Sequence, residues 1–254
     1  MMQDKQKRWR YGPSILLALA LLMLWQLAAW RADMPHILPG PLQILKRTWE
    51  LKESLLLHHL PVTLVTILSG WLLSVVLGTS LAMLMHLSEH VEAMLYPALV
   101  ITQTIPVMCI SPLFVLWMGY TMGARLLAVV LSTFFAITLN TFAGLKSASS
   151  GSRELLLSYG ASRWEMLRQL EIPSALPMFM TGLKMTLPWA VIDAAVAEWL
   201  GATQGLGYFS KRMVSKMDGA AVFAPVLVLC VLSLLGMWLI DRVDRKLVYY
   251  RNQL

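Results

Sequence analysis

Charged residues are scarce in this sequence. Asp, Glu, Lys and Arg make up 14% of its 254 residues, against about 25% in an ordinary soluble domain. Hydrophobic residues make up 57%, so the composition predicts a protein surrounded by membrane lipid. The net charge of +7 does not indicate a nucleic-acid partner. The basic residues concentrate at the two ends and in short loops beside apolar segments, which is the orientation signal of membrane proteins.

Cysteine is scarce too, and the motifs of cofactor and metal sites are missing. Cys109 and Cys230 lie within apolar segments without metal-binding spacing, so we interpret both as small core-filling side chains. No Gly-x-x-x-x-Gly-Lys-Ser/Thr loop is present to hold the phosphates of ATP. No group of His, Cys and carboxylate residues has metal-ligand spacing, and no nucleophile–base pair stands out. These absences argue against an enzyme and predict that the chain itself binds no cofactor or metal.

Apolar segments of membrane-spanning length recur along the chain. A helix needs about 20 mostly apolar residues to cross the hydrocarbon core of a bilayer. Six segments meet or nearly meet that length, near 14–31, 62–86, 93–119, 124–145, 177–200 and 221–240. Lipid offers no partner for loose backbone groups, so these spans should be helices. We therefore expect an all-α polytopic membrane protein of about six transmembrane helices, with residues 1–254 forming one domain.

The ends of the chain bear on its orientation. The first apolar segment follows basic residues, as a signal peptide does, but its length favours an uncleaved span. Six spans place both termini on one side of the membrane. That side, together with the loop 146–174, holds more of the Lys and Arg residues, including Arg251. The bias predicts a multi-pass protein of the bacterial inner membrane with both termini in the cytoplasm.

An amphipathic helix is predicted between the first two spans. Pro41 suits its first position, and Leu42, Leu45, Trp49 and Leu56 follow at helical spacing among charged residues. Two positions for this helix remain open: the outer membrane surface, or packing against the spans of the protein itself.

The third span contains three prolines, Pro97, Pro106 and Pro112. Each removes a backbone donor and clashes with the preceding turn, so together they predict a broken helix. Broken helices occur in membranes where they face protein or a water-filled cavity, and often mark a substrate path. Gln103 and Thr104, just before the middle proline, either line such a path or hydrogen-bond to other helices.

The fifth span carries charges, which are costly inside a membrane and often functional. Lys184, near one end, is expected to extend its ammonium group to the membrane surface. Asp193 lies deepest, and either hydrogen-bonds to another helix or belongs to a path. Glu198 lies near the other end, and Pro188 should kink the helix. The candidate path residues are therefore Gln103, Thr104, Pro106, Asp193 and Glu198.

The loop 146–174 reads as two short helices joined by a turn. The first helix includes Glu154, and Gly160 stops it because glycine readily adopts the left-handed conformation. Ser162 and Glu165 have the spacing of a capping box at the start of the second helix. Ile172-Pro173 is expected to end that helix and turn the chain into the fifth span.

We call residues 146–174 the elbow. An elbow with two caps and an apolar Trp164 is suited to docking into a groove on a partner protein. The alternative from the residues alone is a helix pair on the membrane surface.

The elbow resembles the "EAA" loop of permease subunits of binding-protein-dependent ABC importers. The motif's glutamate, glycine and proline fall in register here, while leucines replace both alanines. The coupling positions that the resemblance identifies are Glu154, Leu155, Leu156, Gly160, Ala161, Trp164, Leu170, Ile172 and Pro173. Similar family sequences recur at 197–201 and 205–208, so the resemblance covers nearly the whole chain.

The resemblance implies a type I ABC importer permease fold and a set of partners. Two separate ATPase subunits would dock on the elbow and hydrolyse ATP. A second permease copy would complete the path, and an extracytoplasmic binding protein would deliver the solute. The nearest branch transports nitrate, sulfonates, taurine or pyrimidine precursors, with hydroxymethylpyrimidine the most specific similarity. An ion-coupled secondary transporter is the alternative function, and a structural scaffold a third.

Overall fold

The computed structural model describes residues 2–247, with side chains from residue 12 onward. Arg251, one of the basic residues used to predict orientation, lies outside the described residues. The helices are α1 (Met2–Ala32), α2 (Pro41–Glu50), α3 (Leu60–Leu87), α4 (Glu89–Thr104), α5 (Val107–Met118), α6 (Met122–Lys146), α7 (Ser150–Ser158), α8 (Arg163–Met166), α9 (Ile172–Gly201), α10 (Leu206–Val214) and α11 (Gly219–Leu247). Two wider π-helical segments, Ser54–His59 and Leu167–Glu171, precede α3 and α9.

Within the described residues, five helical segments are long and apolar enough to cross a membrane, and a bent pair adds a sixth if its two arms form one span. The five segments are Gly12–Ala32, Ser54–Leu87, Met122–Lys146, Arg163–Gly201 and Gly219–Leu247. The prediction of an all-α protein with about six spans is confirmed.

The bent pair is α4 and α5, whose axes differ in direction by 94°. The chain leaves the helical conformation at Ile105 (φ −93°, ψ 116°) and Pro106 (φ −65°, ψ 115°). A residue before proline avoids the helical region because its backbone would meet the proline ring. Pro97 and Pro112 lie inside α4 and α5. Of the three prolines used to predict a broken helix, only Pro106 marks the break.

α3, α6 and α9 form the packed centre of the molecule. The Thr133 hydroxyl of α6 donates to the Ser74 hydroxyl of α3 at 2.6 Å. At Gly78 the two helices are so close that an added Cβ would lie 2.9 Å from the carbonyl oxygen of Phe134. On the other side, buried Val129 of α6 packs with Ala190 of α9. Small residues and hydroxyl pairs of this kind are how helices associate within lipid.

The predicted amphipathic helix is α2, and it packs against the spans of the protein itself. Ile44 is buried, and the Arg47 guanidinium pairs with Asp218, in the turn before α11, at 2.8 Å. Leu42, Leu45 and Trp49 stay exposed. Because α2 ends at Glu50, Leu56 belongs instead to the π-helical segment before α3.

The cysteine interpretation is wrong. Cys109 and Cys230 are exposed on the surface of the chain, and both are free thiols. An apolar segment in a membrane helix has a side that faces away from the protein, so an apolar context does not imply a core position.

Two expectations for the fifth span also change. Lys184 does not simply extend to the membrane surface, since its ammonium group pairs with Asp241 at 2.6 Å and Asp244 at 2.7 Å on α11. Ile172-Pro173 does not end the preceding helix, because helical backbone continues from Arg163 to Gly201. The π-helical segment Leu167–Glu171 ends directly before Ile172, and Pro173 occupies the start of α9, where a missing N–H is tolerated.

Gly78→Ala should weaken the packing of α3 on α6. The new methyl group would lie 2.9 Å from the Phe134 carbonyl oxygen and 3.0 Å from Ile137, so the helices must separate. We expect the free energy of unfolding to fall by about 1–3 kcal/mol, the usual cost of overpacking. Thermal unfolding of the purified protein in detergent measures the change. Gly12→Ala is the matched control, because nothing lies within 4 Å of its Cβ. Equal effects of the two substitutions would contradict the packing described here.

Candidate functional site

The first half of the elbow is the capped helix α7. Ser149 begins it, and its side chain accepts a hydrogen bond from the Ser152 N–H at 3.2 Å. At the other end the Gly160 N–H donates to the carbonyl oxygen of Leu157, and the Ala161 N–H donates to that of Leu156. This pair of bonds is the Schellman motif, which requires a left-handed residue, and Gly160 has φ +75°.

The second half of the elbow begins with the predicted capping box. The Glu165 carboxylate accepts from the Ser162 N–H at 2.8 Å, and the Ser162 hydroxyl accepts from the Glu165 N–H at 3.3 Å. Buried Leu167 then packs with Leu145 and Ala175, next to the ends of α6 and α9. The elbow is therefore held by hydrogen bonds within its own turns and by packing at its base.

The outer surface of the elbow is apolar and uncovered. α7 has no buried residue, and the exposed fractions are 57% for Leu155, 80% for Tyr159 and 65% for Trp164. Of the coupling positions from the sequence, Leu156, Ala161 and Leu170 are half-buried, and the others are exposed. Leu155 and Tyr159 lie between two candidate spans, and Trp164 lies at the start of the second of them. Large uncovered apolar side chains in such a connection are typical of an interaction surface.

Glu171 anchors the elbow to the rest of the protein, a role that sequence reasoning missed. Its buried carboxylate pairs with Arg153 of α7 at 2.5 Å and with the Nε2 atom of His86, near the end of α3, at 2.7 Å. One side chain thus connects α7, α3 and the start of α9. His86 is 85 residues from Glu171 and Arg153 is 18 residues from it, so neither pairing follows from helical spacing.

Two further contacts connect the elbow to the end of α3 and the first turn of α4. The Lys146 ammonium group pairs with Glu92 at 2.6 Å. The Arg163 guanidinium donates to the carbonyl oxygen of Leu87 at 2.8 Å. The surrounding cleft of about 640 Å³ is lined by charged residues of both segments.

A second candidate site is a cavity of about 650 Å³ between α4, α5, α6 and α9, which we call the central cavity. Gln103, Pro106 and Asp193, three of the five candidate path residues, line it. The sequence did not single out its other polar and aromatic lining residues. These are Thr102, Ser132, Phe135, Asn140, Thr186 and Trp189.

The other two candidate path residues lie outside the central cavity. The Thr104 hydroxyl donates to the carbonyl oxygen of Ile101 within α4. Glu198 is fully buried, and its carboxylate accepts from the Thr63 hydroxyl at 2.9 Å and from the Gly207 N–H at 3.0 Å. These bonds join α3, α9 and α10, which indicates a packing role for Glu198.

Among residues 2–247, no group of three or more His, Cys, Asp or Glu side chains is arranged to hold a metal ion.

Known proteins resemble this chain along most of its length. Residues 74–249 match the family described as "Binding-protein-dependent transport system inner membrane component". The formylaminopyrimidine transport permease protein ThiX of Halalkalibacterium halodurans is 46% identical over 94% of this chain and 95% of that protein. The taurine transport system permease protein TauC of Escherichia coli is 26% identical over 92% of this chain and 90% of that protein.

A solved structure supports the fold independently. A chain of the MetNI methionine ABC transporter, in an inward-facing conformation, has a TM-score of 0.61 and 20% sequence identity. The similarity covers 73% of this chain and 93% of that chain.

Gly160→Ala should loosen the elbow without disturbing the spans. Nothing lies within 4 Å of the added Cβ, so the cost arises from the positive φ alone, about 1–2 kcal/mol. We expect faster amide hydrogen exchange in residues 150–171 and unchanged exchange in α3 and α6. The control is Gly151→Ala inside α7, where space is also open and the backbone is helical. Equal exchange in the two variants would contradict the Schellman assignment.

Glu171→Gln should destabilise the whole chain. The substitution keeps the shape of the side chain but removes the charge that pairs with Arg153 and His86. Hydrogen bonds to charged groups contribute about 1.5–3 kcal/mol, so the thermal midpoint in detergent should fall clearly. Glu154→Gln is the control on the exposed side of the same elbow, with an expected change within about 0.5 kcal/mol. A midpoint unchanged by Glu171→Gln would show that this anchor does not contribute to stability.

Proposed function

The chain belongs to the family of binding-protein-dependent transport system inner membrane components, and from that membership we propose that it carries a pyrimidine precursor through its central cavity, driven by an ATPase on its elbow. It is the permease of an ABC importer, a multi-pass inner membrane protein whose ATPase is a separate subunit. Family membership sets aside an ion-coupled transporter and a structural scaffold.

The uncovered surface of the elbow carries the proposal for ATPase docking. Leu155, Tyr159 and Trp164 present apolar area that nothing in this chain covers, on a segment fixed by two caps and by Glu171. A rigid apolar projection can enter a groove on a partner with little loss of entropy. Two ATPase subunits, one for each permease copy, would occupy the two elbows of a dimer, and ATP would be bound and hydrolysed there.

Orientation follows from the same docking. ATP is in the cytoplasm, so the elbow must face it. The elbow follows the fourth crossing if α4 and α5 count as one span, and the N-terminus is then on the same side. Six crossings return the C-terminus to that side, so we propose a single permease domain, residues 1–254, with both termini in the cytoplasm.

A second copy of the chain would close the central cavity. The cavity wall includes Met185, Trp189 and Ile192, which are 55%, 59% and 53% exposed in one copy. Large apolar side chains are unfavourable in water, and the polar side chains beside them are unfavourable in lipid. We therefore propose a homodimer in which two cavities face a shared path, loaded by an extracytoplasmic binding protein.

The solute is proposed from the relatives. The formylaminopyrimidine permease is 46% identical to this chain, whereas the taurine permease is 26% identical. A small pyrimidine of the formylaminopyrimidine kind is therefore favoured over taurine, sulfonates or nitrate.

Glu154→Arg tests the docking surface. Glu154 is exposed and makes no ion pair within the described part of the chain, so its reversal should leave the thermal midpoint unchanged. We expect co-purification of the ATPase and ATP-driven uptake into proteoliposomes to fall at least tenfold. Glu53→Arg, an exposed charge reversal outside the elbow, is the control for co-purification. An ATPase that co-purifies equally with both variants would refute docking at this surface.

A further inference from the structure

The central cavity has an unusual charge balance. Asp193 is among its lining residues, whereas none of the described lining residues is Lys or Arg. The nearby cation of α9, Lys184, is paired with Asp241 and Asp244. A nitrate, sulfonate or taurine sulfonate group would therefore meet a carboxyl group with no compensating positive charge. The cavity disfavours anions and favours solutes that donate hydrogen bonds.

Asp193 has hydrogen-bonding capacity that the chain leaves unused. The residue is 8% exposed, and its Oδ2 atom is buried with no hydrogen-bond partner among the described residues. The Ser132 hydroxyl donates to the carbonyl oxygen of Val129 and is also within hydrogen-bonding reach of the carboxyl group, but it leaves the Oδ2 atom without a partner. A buried acceptor without a donor is costly, so such atoms in native proteins call for an explanation. A ligand with an N–H group would supply the missing donor.

Most of the other polar groups in the central cavity are already engaged. The Asn140 amide donates to the carbonyl oxygen of Ala136 at 2.7 Å. The Thr186 hydroxyl accepts from the Trp71 indole at 3.0 Å. Gln103 differs, because it is exposed at the end of α4 and has no side-chain hydrogen bond within the described part of the chain. An amide both donates and accepts, so it can pair with a ring nitrogen or a formyl oxygen.

Aromatic side chains complete the wall of the central cavity. Trp189 is 59% exposed, and Phe135 lies on the neighbouring helix α6. Exposed indole rings contribute flat surfaces on which a heteroaromatic ring can stack. The Asp193 acceptor, the Gln103 amide and the Trp189 ring together match an amino-substituted heteroaromatic ring better than they match a small anion.

We propose that Asp193 and Gln103 are the solute-selecting residues of the permease, with Asp193 accepting a hydrogen bond from an amino group of an uncharged or cationic aminopyrimidine. This inference rests on the proposed function and adds to it the atoms that recognise the solute. The binding protein chooses what arrives, and the permease then discriminates a second time, against solutes without an N–H donor.

The test uses the complete complex, permease, ATPase and binding protein, in proteoliposomes. Uptake of formylaminopyrimidine is compared with uptake of an analogue whose ring amino group is replaced by methyl, each at saturating, verified-loaded binding protein. Asp193→Ala should slow formylaminopyrimidine uptake about tenfold and leave the rate for the analogue unchanged, since one lost hydrogen bond of about 1.4 kcal/mol gives that factor. Asp193→Asn retains an acceptor oxygen and should recover part of the rate.

Gln103→Ala and Thr104→Ala form the matched pair for the second residue. Gln103 is exposed, so its loss should leave the thermal midpoint nearly unchanged. Thr104 is its neighbour outside the central cavity. We expect slower formylaminopyrimidine uptake for Gln103→Ala and wild-type uptake for Thr104→Ala.

The outcomes separate the two proposals. Equal losses for both solutes in Asp193→Ala, with a lower thermal midpoint, would assign Asp193 to packing and overturn this inference alone. A wild-type complex that hydrolyses ATP and imports taurine but no pyrimidine would overturn the proposed function as well.

Discussion

Helices within lipid gain little by exchanging one apolar neighbour for another, so they hold together only where backbones approach closely or polar groups meet. α3, α6 and α9 satisfy this constraint where small residues and hydroxyl groups meet. Gly78 lets α3 reach the backbone of α6, and the Ser74–Thr133 hydroxyl pair lies in the same interface. Other elements are positioned by these three helices, because α4 and α5 pack on their sides and the elbow connects two of them.

The elbow inherits its position from that packing. It leaves α6 at Lys146 and enters α9 without a break in helical backbone, so its second half is an extension of a packed helix. Glu171 then ties its first half to α3 through His86. A segment fixed to three helices cannot move as an independent loop. We expect a displacement of the elbow by a docked partner to move α6 and α9 with it.

Features that depend on neighbouring residues could be predicted from the sequence. Contacts between residues far apart in the sequence could not. The six spans, the capping box of Ser162 and the stop at Gly160 depend on neighbouring residues, whose preferences the sequence displays directly. Pairings such as Lys184 with Asp244, 60 residues apart, depend on how helices pack and leave no local signal. The prediction that both cysteines are buried was wrong for a related reason, since membrane helices are apolar on both their buried and their lipid-facing sides.

The candidate path shows the same division. A broken helix was predictable from three prolines, yet which proline breaks it depends on where the freed backbone groups can lie beside a cavity. Of the three prolines, Pro106 alone lines the central cavity. Gln103 and Asp193 line the same cavity. Asp193 and Glu198 looked alike in the sequence, as two acids on one span. Their surroundings separate them. Each has one buried carboxylate oxygen without a partner among the described residues, but Glu198 accepts from Thr63 and Gly207 outside the central cavity, whereas Asp193 lines that cavity.

The difference between Asp193 and Glu198 also bears on how much similarity to known permeases says about the function of this chain. Permeases related to this chain are named for chemically different solutes, formylaminopyrimidine and taurine among them, so family membership leaves the solute open. Beyond the choice made by the binding protein, the selection proposed for the permease depends on the few side chains that line the central cavity. A carboxyl group without a nearby cation raises the energy of any bound anion and lowers that of an N–H donor. For a solute that passes along the proposed path, the lining of the central cavity therefore adds a constraint that the fold does not.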